Sequence, residues 1–545
     1  MSGRTDLFER IRRLASNRLL VVLTVLALVA TACSSDSADG STTTAGGDSG
    51  TTTTAGDDGD TTTTTEADSG EPETLVIGMG FSPRSLWANS STTQQEINIS
   101  EQINEKLIEF GPDGQFEPRL AKSWEQLDDT TLELKLEEGV SFTNGEPFNA
   151  ESAAFSIDVM LNSFAYGTFT SAVSGTEVID DYTLHIKTAV PTGLHMAALA
   201  VGSFQYPMEY FAEVGEEEFG MAPIGTGPYM LEEWVIGEEV RLTVNPDYWY
   251  NTPDIEKVIF RSIPEEASRL AALETGEIGL LLDLPLDAAD RIEANPDLQV
   301  LGRAGNRLYG LTLSTLSDTP LVEPEVRQAI KYAIDVQEII DGPLQGRAVA
   351  LADQRMTPAY FGFDPDREPI EHDPDLARQM LADAGYPDGF SVTFKYPSGR
   401  YTKDAEVSQV IAAQLAEVGI EVEQEVLEPG TFLDQLNALE LNDMFFSGTL
   451  PPPDAHYVYF QNECEWRYAY YCREDVDALI EAGTQTVDVD ERMDIYNQIR
   501  AIFDEDPPQV NLYVTEDLYG ATSALSGFTP WGSQFTDVRE FELSG

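Results

Sequence analysis

The segment from residue 391 to 426 constrains the fold most, because its apolar periodicity changes twice within a short length of chain. Alternate residues are apolar at its start, which is typical of a half-buried strand: Val392, Phe394 and Tyr396. Apolar residues then recur at helical spacing and end at a glycine: Val407, Val410, Ile411, Leu415, Val418 and Gly419. Strand spacing returns over residues 420–426. A strand, a helix and a strand of these lengths predict a right-handed crossover between parallel strands, and therefore an α/β fold.

A second region, residues 224–304, combines the same elements. Over residues 240–244 every second residue is apolar, and an Asn245-Pro246 turn follows, which predicts a strand. Residues 268–273 have helical spacing and precede Gly276. With 545 residues, the chain is long enough for two or three domains.

An earlier strand is predicted between residues 131 and 137, where leucines alternate with charged residues: Leu132, Leu134 and Leu136. An Asn144-Gly145 turn follows, and the sequence from Asn149 to Glu151 predicts the start of a helix. No catalytic group is concentrated in this stretch.

The first 32 residues have the pattern of a signal peptide. Five arginines precede an apolar run from Leu19 to Ala30, which is too short to span a bilayer comfortably as a permanent helix. Small residues then precede Cys33, and this junction resembles a lipobox, in which Cys33 becomes the lipidated first residue of the mature protein. The alternative is an ordinary secretory signal with an incidental cysteine. We expect an extracytoplasmic protein that is lipid-anchored to the cell membrane.

Residues 33–73 form a low-complexity segment. It is rich in Thr, Ala, Gly, Ser and Asp and includes the runs Thr51–Thr54 and Thr61–Thr65. Because it lacks the apolar residues that would offset chain entropy, we expect a disordered tether. A flexible tether would let a globular part work away from the membrane surface.

The charge of the chain excludes one class of partner. Its 95 acidic and 32 basic residues give a formal net charge of −63. Such a chain repels nucleic-acid phosphates, so no nucleic-acid binding is expected. The acidity could favour a cationic ligand, or it could reflect only solubility or a saline habitat.

Two cysteines, Cys464 and Cys472, are left once Cys33 is assigned to the anchor. In an exported protein such an even pair predicts a disulfide. A metal site is disfavoured because the four histidines are scattered: His185, His195, His372 and His456. We expect neither a metal nor another cofactor.

Sequence motifs give no support for catalysis. The chain contains no G-x-S-x-G, G-x-x-x-x-G-K-[ST] or H-E-x-x-H motif and no EF-hand loop. The abundant carboxylates could include a catalytic pair, but a solvated surface is the commoner explanation. We therefore expect no enzyme, and an anchored surface hydrolase is the competing hypothesis.

Several motifs recur in order along the chain from Thr74 to about Trp531. They are the stretch EPRLAKSWEQLDDTTLELKLEEGVSFTNGEPFNAESAAF (117–155), GTGPY (225–229), NPDYW (245–249), VRQAI with AID (326–335), LADAGY (381–386) and YCREDVD (471–477). Together they resemble the signature of the family 5 extracytoplasmic solute-binding proteins, the dipeptide, oligopeptide and nickel binders of ABC importers. The resemblance implies a protein that captures and delivers a solute without chemistry of its own.

The resemblance also implies an α/β, two-lobed periplasmic-binding-protein-like fold (type II, cluster C) with an additional N-terminal subdomain. On this mapping lobe I comprises residues 74–97, 223–304 and 511–545. The inserted subdomain comprises residues 98–222, and lobe II comprises residues 305–510.

Two-lobed proteins bind at the lobe interface, and the resemblance implies that three segments face a ligand there. They are residues 83–87, residues 311–314 and residues 446–457. Their candidate ligand-binding residues are Arg84, Trp87, Ser314, Ser447, Thr449, Asp454 and Tyr457. Arg84 could pair with a carboxylate or phosphate and Trp87 could stack on the ligand, although a solvated arginine and a core tryptophan are equally compatible with the sequence.

The third segment departs from the family pattern. Relatives often have Gly-Trp here and then an acidic residue that holds a peptide's amino group, whereas this chain has Thr449 and three prolines. Ser314 likewise stands where relatives often have Asn. Asp454 is the nearby carboxylate, and a peptide ligand with a free amino group depends on its pointing into the cleft.

These observations predict a monomeric binding protein that captures a peptide-like small solute and passes it to the transmembrane subunits of an ABC permease. An oligosaccharide or another organic solute is the alternative ligand. Nickel is disfavoured because the histidines do not cluster.

Overall fold

The structure is a computed structural model, and it describes residues 73–91, 93–111, 113–163, 165–528 and 537–544. The predicted signal peptide, Cys33 and the predicted tether up to residue 72 lie outside the described residues. Within these ranges, no helix has both the length and the apolar character that a membrane crossing requires.

The strands alternate with helices along most of the chain. In chain order they are β1 (Thr74–Met79), β2 (Ile108–Phe110), β3 (Phe116–Pro118), β4 (Ala121–Asp128), β5 (Thr131–Leu136), β6 (Gly175–Asp180), β7 (Thr183–Lys187), β8 (Tyr229–Val235), β9 (Glu239–Val244), β10 (Lys257–Ser262), β11 (Leu280–Leu281), β12 (Leu298–Leu313), β13 (Ala348–Ala350), β14 (Phe390–Pro397), β15 (Ile420–Leu427), β16 (Met444–Thr449), β17 (Gln509–Thr522), β18 (Leu525–Ser526) and β19 (Glu542–Leu543).

The α-helices are α1 (Gln94–Ile103), α2 (Ala150–Leu161), α3 (Gly167–Thr170), α4 (His195–Gly202), α5 (Met208–Met221), α6 (Glu266–Glu274), α7 (Ala289–Glu293), α8 (Pro324–Ala333), α9 (Val336–Asp341), α10 (Pro374–Asp383), α11 (Asp404–Glu417), α12 (Pro429–Asn437), α13 (Ala455–Tyr459), α14 (Glu474–Gln485) and α15 (Val489–Glu505). Asn149 caps α2, because its side-chain oxygen accepts the N–H groups of Glu151 and Ser152. The predicted helix start is confirmed.

A large mixed sheet has the strand order β15-β14-β16-β12-β17-β11-β1-β10-β9-β8, with β13 paired to β17. Helix α11 connects β14 to β15, and these two strands are parallel, with Phe390 opposite Ile420. The strand–helix–strand unit predicted for residues 391–426 is therefore confirmed. The strand predicted at residues 240–244 is part of β9, and the helix predicted at residues 268–273 is part of α6.

The long strands β12 and β17, of 16 and 14 residues, connect two halves of this sheet. They pair with each other along most of their length. β12 pairs with β16 through residues 308–313, whereas β17 pairs with β11 through residues 520–521. The register between β12 and β17 shifts between Ala304 and Leu308, and such irregularities bend a strand locally.

Residues 121–187, which lie within the predicted inserted subdomain, form a separate antiparallel sheet in the order β4-β5-β7-β6. β5 buries the three leucines that the alternation identified, so the predicted strand is confirmed: Leu132, Leu134 and Leu136. They pack with Ile157 of α2 and Ile186 of β7 in a hydrophobic cluster of their own.

The two halves of the large sheet have their own cores as well. Phe394, Ile411 and Phe446 belong to a cluster between the sheet and α8, α10 and α11. Ile77, Val258 and other residues of β1, β9 and β10 form a second cluster. Separately filled cores allow parts of a molecule to move as bodies. The lobe boundaries given above stay a prediction.

Cys464 and Cys472 form a disulfide, as predicted. It closes a loop that begins after the short 3-10 helix Phe460–Asn462 and ends just before α14.

Candidate ligand-binding cleft

A cavity of about 260 Å³ lies between residues that the prediction assigns to lobe I with its insert and residues that it assigns to lobe II. The first group includes Glu101, Lys106, Glu109, Phe110, Tyr166 and Phe169. The second group includes Asn306, Ala359 and the segment from Leu450 to Pro453. A concave, largely apolar space with a few polar groups is the usual form of a small-molecule site.

Glu101 is a buried acidic group of this cavity, and its side chain is 8% exposed. Its Oε1 lies 2.6 Å from Nζ of Lys106. Its Oε2 is buried and has no hydrogen-bond partner among the described residues. Burial raises the pKa of Glu101, and Lys106 opposes this shift. An unpaired buried acceptor costs about 1–3 kcal/mol.

Glu101 belongs to a buried cluster of charges that we call the carboxylate cluster: Glu101, Glu105, Lys106, Glu109, Arg119, Asp537 and Arg539. Within it Arg119 forms an ion pair with Glu109. Arg539 Nε lies 2.9 Å from both carboxylate oxygens of Asp537. These pairs leave Glu109 and Asp537 engaged with cations of the protein.

Glu105 is satisfied by neutral donors. It accepts hydrogen bonds of 2.8 Å from the Tyr248 hydroxyl and from Nε1 of Trp249. Burial raises the pKa of Glu105, and these two hydrogen bonds oppose the shift. The two aromatic residues of the NPDYW motif therefore support the carboxylate cluster and do not line the cavity.

On the side of the predicted lobe II, the cavity wall is formed by the segment from Leu450 to Pro453. Its three prolines have no backbone N–H group and cannot donate a hydrogen bond to a ligand. The three proline carbonyl oxygens accept hydrogen bonds from the Tyr360 hydroxyl, the Asp454 N–H and the Phe361 N–H. The prolines of this wall thus contribute apolar surface, and their backbone groups are already used.

Two sets of contacts connect residues within 98–304 to residues within 305–510. The first, which we call the buried seam, comprises Phe169, Gly193, Tyr457, Thr484 and Arg492. The Tyr457 hydroxyl donates to the Phe169 carbonyl at 2.8 Å. The Gly193 N–H donates to the Thr484 carbonyl, and Arg492 donates to the Gly193 carbonyl, both at 3.2 Å.

The second set, the ionic seam, comprises Asp287, Glu293, Gln345, Arg347 and Lys403. Asp287 lies 2.7 Å from Nζ of Lys403 and accepts a hydrogen bond of 2.9 Å from Gln345. Glu293 lies 2.6 Å from Arg347. The hydrogen bond from Lys403 lowers the pKa of Asp287 and raises the pKa of Lys403. Both seams thus connect the predicted lobe I and its insert to the predicted lobe II.

Comparison with known proteins assigns the chain to a family. The sequence profile of the bacterial extracellular solute-binding proteins, family 5 Middle, matches residues 115–465, which is more than half of the chain. The chain belongs to this family. It is a solute-binding protein of the ABC-importer type and not an enzyme, as predicted.

Individual family 5 relatives cover most of the chain. The glutathione-binding protein GsiB of Salmonella typhi is 24% identical over 472 residues, which is 83% of this chain and 91% of the relative. The ABC transporter substrate-binding protein CtaP of Listeria monocytogenes superposes with a TM-score of 0.80 at 24% identity, covering 87% of this chain and 100% of that one.

A third relative, the periplasmic binding protein DppA of Helicobacter pylori in complex with the peptide STSA, gives a TM-score of 0.70 at 25% identity. It covers 86% of this chain and 98% of that chain. The predicted α/β, two-lobed fold is confirmed by these likenesses.

Asp454 of this family 5 protein already has an internal partner. Nη2 of Arg492 lies 2.7 and 2.8 Å from its two carboxylate oxygens, and one of these also accepts the His456 N–H at the start of α13. Burial alone would lower the pKa of Arg492, but Asp454 outweighs this effect and raises it. The role predicted for Asp454, holding a ligand's amino group, would require this pair to open.

The two candidates after β1 do not line the cavity. Trp87 is buried and packs against Phe211 with ring centroids 5.8 Å apart. Arg84 is exposed, and its backbone N–H donates to Glu96. In this structure both positions match the alternative given with the prediction, a core tryptophan and a solvated arginine.

The four remaining candidates lie at different places in lobe II. Ser314 is buried, and its hydroxyl accepts the Leu316 N–H. Ser447 and Thr449 lie on β16, where the Thr449 hydroxyl accepts a 3.0 Å hydrogen bond from Arg355 directly before the cavity wall. Tyr457 is in the buried seam. The structure thus brings Thr449 and Tyr457 beside the cavity and leaves Ser314 in the core.

The sequence did not single out Glu101, Lys106, Glu109 or Asn306. In a chain with 95 acidic residues, composition does not distinguish a carboxylate that lines a cavity from one on the surface. None of the four residues lies in a recognisable motif. The available signal was the polar character of α1, a helix that buries Glu96, Asn98 and Gln102 together with Ile99 and Ile103.

Proposed function

We propose that this protein is the substrate-binding lipoprotein of an ABC importer, which captures a peptide-like small solute between its lobes and delivers it to the membrane permease. The observation that carries this proposal is the cavity between residues of the predicted lobe I with its insert and residues of the predicted lobe II, two parts of the chain that both seams also connect. Cys33 provides the lipid anchor, and the protein acts as a monomer.

The lobes move about the two long strands. β12 and β17 are the strands that continue from one half of the large sheet to the other, and their register shift between Ala304 and Leu308 lies beside the cavity residue Asn306. A small φ/ψ change there would swing the halves apart, open both seams and admit ligand, as in other hinge motions around a ligand.

The cavity limits the size of the ligand. Its volume of about 260 Å³ is close to the lower end of small-molecule sites, which span roughly 300–1,000 Å³. A dipeptide-sized solute fits this space in the closed arrangement, whereas a long peptide requires a wider opening. The names of GsiB, which binds glutathione, and DppA, which was solved with a peptide, support a peptide-like ligand.

The proposal is tested by small-angle X-ray scattering of the purified protein, before and after addition of short peptides and oligosaccharides. A ligand should reduce the radius of gyration, and the ligand recovered afterwards should be chemically unchanged. Hydrolysis of the added compound contradicts the proposal. In cells, Cys33→Ala should release the protein from the membrane fraction, and retention there contradicts the anchor.

A further inference from the structure

A second, smaller cavity shares no lining residue with the cavity in the cleft. Its volume is about 30 Å³. A cavity of roughly 10–15 Å³ already holds one water molecule, so this one has room for one or two particles of that size. It is lined by three basic residues, Lys331, Arg355 and Arg500, and by the carboxylates Asp353 and Asp504. We call it the basic pocket.

Both carboxylates of the basic pocket are engaged with cations. Asp353 lies 2.7 Å from Nζ of Lys331 and 3.2 Å from Nη2 of Arg367. Asp504 accepts a hydrogen bond of 3.0 Å from Nη1 of Arg367. The two carboxylates are therefore balanced by one lysine and one arginine, and neither is left for the two arginines that line the pocket.

Arg355 has neutral hydrogen-bond partners. Its two terminal nitrogens donate to side-chain oxygens of Gln509 and Thr449. Each of these nitrogens carries a second N–H group, for which the described residues supply no acceptor. Burial lowers the pKa of Arg355 to about 10, and the opposing effects come from Tyr360 and Tyr401 and not from a carboxylate. Arg355 is not fully buried, so its positive charge is both unpaired and accessible to a small ion.

Arg500 is 4% exposed and also binds neutral groups. One terminal nitrogen donates to the Gln354 side chain at 2.9 Å and to the Gly362 carbonyl at 2.8 Å, and the other donates to Asn497. That second nitrogen has one further N–H group, and the ammonium of Lys331 has two beyond the one in its ion pair. Three cations thus bring spare N–H groups to the same pocket.

Several acceptors that line the basic pocket already take part in hydrogen bonds. The Pro507 carbonyl accepts from Nε of Arg327 at 2.9 Å, and the Pro508 carbonyl accepts the Leu313 N–H at 3.0 Å. The side-chain oxygen of Asn511 accepts a hydrogen bond of 2.9 Å from a glutamine of the same strand. An occupant of this pocket therefore meets mainly donors, and a neutral water would leave the arginine charges uncompensated.

We infer that the basic pocket binds a small inorganic anion of the size of chloride, held by Lys331, Arg355 and Arg500. A monatomic anion accepts several N–H groups at once and supplies the negative charge that the two arginines lack. It would connect α8, α15 and the segment after β13. Because the three side chains come together only in the folded chain, the anion should stabilise the fold.

The solution experiment is differential scanning calorimetry of the full chain in mixtures of sodium chloride and sodium gluconate. The melting temperature should rise as chloride replaces gluconate, because gluconate is too large for the pocket. Constant ionic strength keeps the screening of the net charge of −63 unchanged across the series. Equal melting temperatures throughout the series overturn the inference.

Variants test whether Arg355 is responsible. Arg355→Gln should lose the rise in melting temperature with chloride. Arg378→Gln is the matched control, because it removes the same charge from a side chain of α10 that is 46% exposed and does not line the pocket. It should keep the rise. An equal chloride response in the two variants overturns the inference.

If Arg355→Gln does not fold, crystals of the unchanged protein soaked in sodium bromide decide the matter. Diffraction at the bromine absorption edge should show an anomalous peak among Lys331, Arg355 and Arg500. A peak only elsewhere, or none, overturns the inference and means that water fills the pocket. The proposed function stands in either case, because the basic pocket and the cleft cavity have no residue in common.

Discussion

The buried seam and the ionic seam both connect residues before position 305 to the predicted lobe II, but by different physical means. In the buried seam Tyr457 is 2% exposed, and Arg492 is held between Asp454, Tyr496 and the Gly193 carbonyl. In the ionic seam the side chains of Asp287 and Glu293 are 64% and 47% exposed. Water and salt screen exposed ion pairs but have little access to buried ones.

Because of this difference in exposure, the two seams should contribute to lobe closure in different ways, one through close packing and the other through charge attraction. The buried seam needs a close fit, since Gly193 approaches lobe II so nearly that a side chain has no room. The ionic seam tolerates small displacements because exposed charges interact over a range of distances. We therefore expect the buried seam to fix the closed geometry and the ionic seam to add a modest, salt-dependent attraction.

The largest effect is expected from Arg492→Met. The change leaves the buried Asp454 carboxylate without its cation, which typically costs about 3–5 kcal/mol of folding free energy. Urea unfolding followed by circular dichroism measures the loss. The double variant Asp454→Asn with Arg492→Met should recover part of it, because the unpaired charge is gone. If Arg492→Met has the same unfolding free energy as the unchanged protein, the ion pair of Asp454 and Arg492 does not stabilise the fold.

Gly193→Ala should have the next largest effect. A Cβ at this position would lie 2.6 Å from the Thr486 carbonyl oxygen and 2.7 Å from Cδ of Arg492. Overpacking of this kind costs about 1–3 kcal/mol, and here it opposes closure. Ligand affinity measured by calorimetry should fall accordingly. Gly167→Ala is the control, since nothing lies within 4 Å of its added Cβ. Equal affinities of the two variants would show that the seam does not govern closure.

Tyr457→Phe removes one hydroxyl from the buried seam and keeps the ring that packs on Phe169 with centroids 5.6 Å apart. Loss of the hydrogen bond to the Phe169 carbonyl should weaken ligand binding by about 0.5–1.5 kcal/mol. This weakening should be the same at low and high salt. A strong salt dependence of the difference would place Tyr457 with the ionic seam instead.

Asp287→Asn should have the smallest effect, at most about 1 kcal/mol on ligand affinity, because the pair with Lys403 is exposed. The effect should shrink as salt rises. Lys403 lowers the pKa of Asp287, so the pair is formed at neutral pH and is lost as the pH falls through that lowered value. An effect that grows with salt would contradict this assignment.

Much of the fold was predictable because local periodicity and turn residues agree with the tertiary structure. The apolar alternation of residues 391–397, the stripe of α11 and Gly419 specify a parallel strand pair, and Asn149 specifies the start of α2. The Cys464–Cys472 pair followed from the count of cysteines in an exported chain.

The residues that line the cavity were harder to predict than the fold. A cleft between lobes follows from the family resemblance, yet the cavity is lined by Glu101, Lys106 and three prolines, whose chemistry depends on partners distant in sequence. The ion pair of Asp454 could not be recognised from its neighbours alone, because its partner Arg492 lies 38 residues further along the chain. Contacts between residues that are distant along the chain produce no periodic pattern in the sequence, so the sequence alone does not predict them.

The central claim is that two lobes enclose a small solute and release it unaltered. Native mass spectrometry of protein purified from its own cells, followed by denaturing release of whatever it holds, tests this most directly. We predict one small molecule per chain, whose mass is the same whether it is released at once or after long incubation at 25 °C. A released compound that changes mass with incubation would contradict the account.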